Sequence, residues 1–231
     1  MRKKASEADI VLTLGLVGIL GVLLTIISDL ILIGKPISAY SFLKLGTESM
    51  ADISQWRITV GAFIGVIVLP FQILGLIPVY YGLKPSGRVL PIIVVITNAH
   101  ALIMGVAFHI SYAFIGSQWK VYYETGLGIT SDIIKRFDFY WKLIIIIVLI
   151  EILFSSIIYV LAIMSGRSLY PKSMAILNPL SVLILVFPII FIFPAPIGGF
   201  FASAYVNIST MVFFSFSTVV IYKKVKGDKA R

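Results

Sequence analysis

Six apolar stretches, at residues 10–33, 58–81, 89–115, 143–164, 174–193 and 197–222, dictate what this chain can become. The hydrocarbon core of a bilayer is about 30 Å thick and takes about 20 apolar residues of helix to cross. Each stretch reaches that length, and composition agrees with the reading. The chain is 59% hydrophobic and 13% charged, with a mean hydropathy of +1.05, where a soluble domain is roughly half apolar and one-quarter charged. Only connectors remain once the spans are removed. The sequence therefore predicts an all-α polytopic bundle of six transmembrane helices, a single integral membrane domain over residues 1–231 with the lipid bilayer as its main partner. The net charge of +9 sits in short flanks between apolar runs, which argues against a nucleic-acid partner. Arg2, Lys3 and Lys4 lead the first stretch as they would a signal peptide. That stretch runs well past a typical signal core and ends at Ile33-Gly34-Lys35 without a small-residue cleavage site, so it reads as a retained helix.

Lys and Arg set the expected orientation. One side collects the three N-terminal basic residues, Lys84, Arg88, Arg167, Lys172, and the tail residues Lys223, Lys224, Lys226, Lys229 and Arg231. The other side has Lys35, Lys44, Arg57, Lys120, Lys135, Arg136 and Lys142, diluted by Glu48, Asp52, Glu124, Asp132 and Asp138. Both termini are thus expected in the cytoplasm of a cell with the chain in its plasma membrane. The same placement puts Trp56, Trp119 and Trp141 at the outer interface, where indole rings prefer to lie. The outer connectors at 36–56 and 118–141 are the longer ones. Residues 131–141 read as a short capped helix in the interface, either an aromatic-anchored linker or a lid over an outward-facing pocket.

Polar side chains at membrane depth face other helices or a cavity. At about 100° per residue, Gly18, Gly21, Thr25, Ser28 and Asp29 form a seam on the first span. Gly61, Gly65, Gln72 and Gly75 form one on the second, and Gly199, Ser203, Asn207, Thr210 and Thr218 form one on the sixth. Gly61 and Gly65 make a GxxxG pair, a device for close helix approach within the chain or for a homo-oligomer. The third span has Asn98, Gly105, His109 and Tyr112 on one face and His100 and Ser111 roughly opposite. The fourth carries Glu151 with Ser155 one turn on, and the fifth carries Asn178 and Ser181. Counted from the outer ends, Asp29, His109, Glu151 and Asn207 fall in the outer half of the hydrocarbon layer, with Asn98, His100 and Gln72 near or below its middle. These positions predict an outward-facing polar pocket whose candidate binding residues are Asp29, Asn98, His100, His109, Tyr112, Glu151 and Asn207. Glu151 has no Lys or Arg within a span to pair with, so it is either neutral or hydrogen-bonded to His109, His100 or Asn207.

Absent motifs narrow the chemistry. The chain has no cysteine, hence no thiol nucleophile, disulfide or thiolate ligand. Its two histidines point to opposite sides of one helix and cannot clamp a single haem within a monomer. No span holds a lysine for a Schiff base, and no GxSxG, HExxH, Walker or GxGxxG motif occurs. No metal or cofactor is expected. Pro70 and Pro78 in the second span and Pro179 and Pro188 in the fifth sit at matching places in two three-helix halves, the outline of an inverted repeat. Unequal loops and the lack of a sequence repeat weaken that reading.

Several short segments occur together: Ser28-Asp-Leu-Ile-Leu-Ile-Gly34, Met50-Ala-Asp-Ile-Ser-Gln-Trp-Arg57, Tyr81-Gly-Leu-Lys-Pro85, the His109 helix and Leu177-Asn-Pro-Leu180. In this the chain resembles a family of six-helix bacterial membrane proteins of unknown function. The resemblance covers most of the chain and implies that Asp29, His109 and Asn178 are shared positions; it brings no activity. Three functions remain. The first is binding or transport of a small or lipophilic solute. The second is a membrane enzyme using carboxylate and histidine acid-base chemistry on a lipid or prenyl substrate. The third is a non-catalytic scaffold. The first ranks ahead because no catalytic spacing is present.

Overall fold

In a computed structural model, which describes residues 6–228, all regular structure is helical. The order is α1 (Glu7–Leu32), α2 (Ala39–Leu43), α3 (Gln55–Gln72), α4 (Leu76–Leu83), α5 (Val89–Thr125), α6 (Gly128–Met164), α7 (Pro179–Ile190), α8 (Gly198–Ser203) and α9 (Tyr205–Asp228), with short 3-10 turns between several of them. Five helical segments are long and apolar enough to cross a membrane: Glu7–Leu32, Gln55–Ser86, Val89–Thr125, Gly128–Met164 and Tyr205–Gly227. This is the make-up of a multi-pass helical membrane protein. The N-terminal basic residues and Lys229 to Arg231, used above for orientation, lie outside the described residues.

The starts and stops follow local chemistry. Ser6 caps α1 reciprocally with Asp9: its hydroxyl accepts the Asp9 N–H at 3.2 Å, and the Asp9 carboxylate accepts the Ser6 N–H at 3.1 Å. At the other end of α1, Arg57 of α3 satisfies carbonyls that the helix leaves unpaired. Its Nε donates to Ile31 O at 2.8 Å and its Nη2 to Gly34 O at 2.6 Å and Leu30 O at 3.2 Å. The second apolar stretch is interrupted: α3 contains Pro70, a 3-10 turn follows at Ile73–Gly75, and α4 begins at Leu76.

Antiparallel neighbours are fixed by contacts at several levels. Ser28 donates to Gly61 O at 2.6 Å, and a side chain at Gly18 would collide with the Gly75 backbone, so α1 and α3–α4 approach closely. A Cβ on Gly15 would meet Thr218 of α9 at 2.5 Å, while Asn207 of α9 reaches Asp29. The start of α1 and the end of α9 therefore share one end of the bundle. The main core lies there, around Tyr159, Tyr170, Phe213, Leu83 and Ile221. Tyr170, in the connector after α6, hydrogen-bonds Ser217; burial pushes its phenol up, so it remains a neutral hydroxyl. The Gly61 and Gly65 face is consumed inside the chain, against Leu32 and His109, and is not free to pair with a second copy.

Three sequence expectations change. The fifth stretch, expected as a span over 174–193, holds a helix of only 12 residues, about 18 Å long. Asn178-Pro179 restarts the helix inside the stretch: the Asn178 side-chain Oδ1 accepts the Ser181 N–H at 2.9 Å, and the Ser156 hydroxyl of α6 accepts the Leu180 N–H at 2.9 Å. Two N–H groups of the break are thus satisfied by protein side chains, as irregular backbone at membrane depth requires. The sixth stretch splits at Ala204 into α8 and α9. The connector at 118–141 is not a linker with a short capped helix. α5 and α6, 37 residues each and about 55 Å long, run on as one hairpin turned by Gly126 at φ 65°. The extension is pinned to the 3-10 turn at Thr47–Asp52: Lys120 donates to Ala51 O at 2.9 Å and Trp119 Nε1 to Thr47 at 3.2 Å.

Two substitutions test this packing. Gly18→Ala, which drives a methyl into the Gly75 backbone, is expected to destabilise by about 1–3 kcal/mol. Gly105→Ala, whose methyl would stop 3.5 Å from Leu69, is expected to stay within about 0.5 kcal/mol of wild type. Equilibrium unfolding in mixed detergent micelles measures both.

Candidate functional site

A connected row of polar side chains crosses the bundle between four helices. Thr25 of α1 donates back to Gly21 O at 2.9 Å and accepts from Gln72 Nε2 at 2.8 Å. The same Gln72 amide reaches Asn207 Oδ1 at 3.4 Å. Asn207 Nδ2 in turn donates to Asp29 Oδ2 at 2.8 Å, and Asp29 Oδ1 stands 3.4 Å from His109 Nε2. Thr25, Gln72, Asp29 and His109 are all buried. The Asp29 side chain does not reach toward lipid headgroups; it is held between α5 and α9. His109 fits because Gly65 faces its ring: a Cβ there would overlap the imidazole.

Asp29, His109 and Asn207 of this row line one side of a cavity of about 350 Å³, within the size range of small-molecule sites. Ile145, Val148, Leu149 and Ile152, one face of α6, line the opposite wall. Phe108, Tyr112 and Trp141 gather at its α5–α6 side, with Phe108 and Trp141 stacked at 5.4 Å and Tyr112 edge-on to Trp141 at 5.9 Å. Phe42 and Leu43 of α2 also line it. The cavity is thus mainly apolar with a polar patch on one side. A group placed there meets hydrogen-bond donors and acceptors, and a proton has two adjacent holders in Asp29 and His109. Among the described residues, no three His, Asp or Glu side chains converge as a metal site would require.

Of the seven predicted site residues, Asp29, Asn98, His109, Tyr112 and Asn207 line this cavity. Asn98 turns its amide onto its own helix, donating to Val94 O at 2.8 Å. His100 and Glu151 are placed apart from it and pair with each other across α5 and α6. The cause is angular. Val148 and Ile152 face the cavity, and Glu151, one residue from Ile152, is rotated about 100° away. His100 lies between the exposed Ile96 and Ile103, on the outer stripe of α5. Of the three partners the sequence leaves open for Glu151, His100 is the one it meets.

Gln72 and Thr25 were visible in the sequence as seam residues but not as part of the site. The signal for Gln72 was its position on the Gly61–Gly65 face, which also carries His109's neighbour. Trp141, read as an interfacial anchor, also walls the cavity.

The chain belongs to a family of unknown function (DUF6796), whose model matches residues 1–224. No curated protein and no solved structure matches it. The family spans all the segments on which the resemblance rests and, like the resemblance, brings no activity.

A double-mutant cycle tests the division into two clusters. Asp29→Asn and Asn207→Ala are expected to be coupled by about 0.5–3 kcal/mol in stability, whereas Asp29→Asn and Glu151→Gln, which share no partner, are expected to add within about 0.5 kcal/mol.

Proposed function

We propose that this protein is a polytopic membrane protein that binds a small or lipophilic solute in the cavity beside Asp29, His109 and Asn207. The observation that carries the reading is the combination of an apolar cavity with a buried carboxyl group on its wall. A carboxyl group at membrane depth is expensive to maintain, and this one lines a space large enough for a ligand. A purely structural polar seam would be sealed on all sides by helix packing. The Gln72 and Thr25 end of the row is sealed in that way; the Asp29 and Asn207 end is not.

The proposal includes six crossings, the fifth made by the interrupted stretch at 174–193, of which α7 is the helical part. α6 and α9 are long apolar segments, and the short helix between them rises from the level of Ser156 to a cluster that includes Ala39. It places both termini in the cytoplasm, in a plasma membrane, in line with the bias of Lys and Arg and the tryptophan positions. The six-helix bacterial pattern of the resemblance supports the same count.

Mass spectrometry of molecules extracted with the detergent-purified protein tests the binding reading. The wild type is expected to retain a molecule that Ala101→Trp and Val148→Trp, which fill the cavity without touching the hydrogen-bonded row, lose about tenfold, the ratio set by roughly 1.4 kcal/mol. Equal retention by folded variants, or no retained molecule in the wild type, contradicts it.

A further inference from the structure

The cavity is not walled evenly. At one level α6 closes against its neighbours: Tyr159 and Phe213 of α9 meet edge to face at 5.6 Å, and Ser156 accepts from Leu180 at 2.9 Å. Toward the other end of α6, from Ile152 to Ile145, α6 faces α7 and α9 across the cavity. Leu149 and Val206 line the cavity yet remain 43% and 38% exposed. Beside Leu149 on α6, Ile146, Ile150 and Leu153 form an exposed apolar stripe. In a membrane that stripe faces acyl chains. An opening beside Leu149 and Val206, a slot between α6 and α9, would give onto lipid.

The polar wall restricts the head of whatever enters. None of the lining residues is Lys or Arg. Arg57, the basic residue of α3, is spent on the carbonyls at the end of α1. A phosphate, sulfate or carboxylate head would meet the Asp29 carboxyl group with no cation to balance it, and an unpaired charge in such surroundings is strongly disfavoured. A quaternary ammonium head makes no hydrogen bond and a simple ammonium head donates but cannot accept, whereas an uncharged hydroxyl or amide both donates and accepts, and Asp29, His109 and Asn207 offer both roles.

We infer that the occupant is a membrane-dissolved amphiphile with a single uncharged hydrogen-bonding head, which enters sideways through the slot between α6 and α9 and sets that head against Asp29 and Asn207. This rests on the binding reading above and adds the ligand class and the route.

The test uses the full chain in phosphatidylcholine nanodiscs and a long-chain alkyl alcohol carrying a diazirine and an alkyne. Two probes with the same chain carry a sulfate or a trimethylammonium head, and a fourth is a short water-soluble diazirine alcohol. Photolabelling by the long-chain alcohol is expected to map to α6 and α9 around Leu149 and Val206 and to be displaced by unlabelled alcohol. It should exceed labelling by either charged probe about tenfold. Leu149→Trp, which narrows the slot away from the polar row, is expected to reduce it by a similar factor. Should that variant not fold, the head-group comparison and displacement on the wild type decide alone. Equal or stronger labelling by a charged probe overturns the inference, as does labelling outside the slot. Labelling of the cavity by the short alcohol alone overturns the inference but leaves the binding reading standing. Absence of cavity labelling by every probe overturns both.

Discussion

The carboxyl group of Asp29 organises this bundle. It sits near the end of α1, buried, with Asn207 of α9 donating to one oxygen and His109 of α5 standing against the other. An unsatisfied acid at that depth would be expelled or would draw in water. Three helices are consequently held at one level, and α3 joins through Gln72. The rest of the packing follows from what those contacts need. Gly65 has no side chain because the His109 ring takes the space, and Gly61 brings its carbonyl within reach of Ser28. Small residues here do the work of close approach that apolar association cannot do in lipid.

A second constraint is that every backbone polar group at membrane depth must be met by protein. The breaks in this chain obey it. Asn178 caps α7 and Ser156 takes up the adjacent N–H of Leu180, while Arg57 covers the last carbonyls of α1. At the far end, the segment leading into α2 is joined to α8 by the Gly199 N–H, which donates to Ile37 O at 2.7 Å. The end with Tyr170 and Ser217 holds the main buried core.

Much of this was legible from periodicity. The seams on α1, α3 and α9 are repeats of small and polar residues at helical spacing, and they meet as expected because a polar face in lipid has nowhere else to go. Asp29, His109 and Asn207 come together for that reason. Glu151 was harder to place. Depth alone put it with them, but depth does not fix azimuth, and its neighbour Ile152 took the cavity face. The 118–141 segment misled through its composition: mixed charged and apolar residues suit a connector, yet they also suit a helical hairpin projecting beyond the hydrocarbon, where Asp138 and Lys142 pair at 2.6 Å one turn apart. The shortness of α7 was signalled only by Asn178-Pro179, since apolar content is the same in a whole helix as in an interrupted one.

A structure determined in lipid nanodiscs made from cellular lipid bears most directly on whether Asp29 serves a site or a seam. The account predicts α6 standing away from α9 above Tyr159, with elongated density in the slot whose polar end meets Asp29 and Asn207. α6 closed onto α9, with the Asp29 carboxyl group sealed from any occupant, would contradict it.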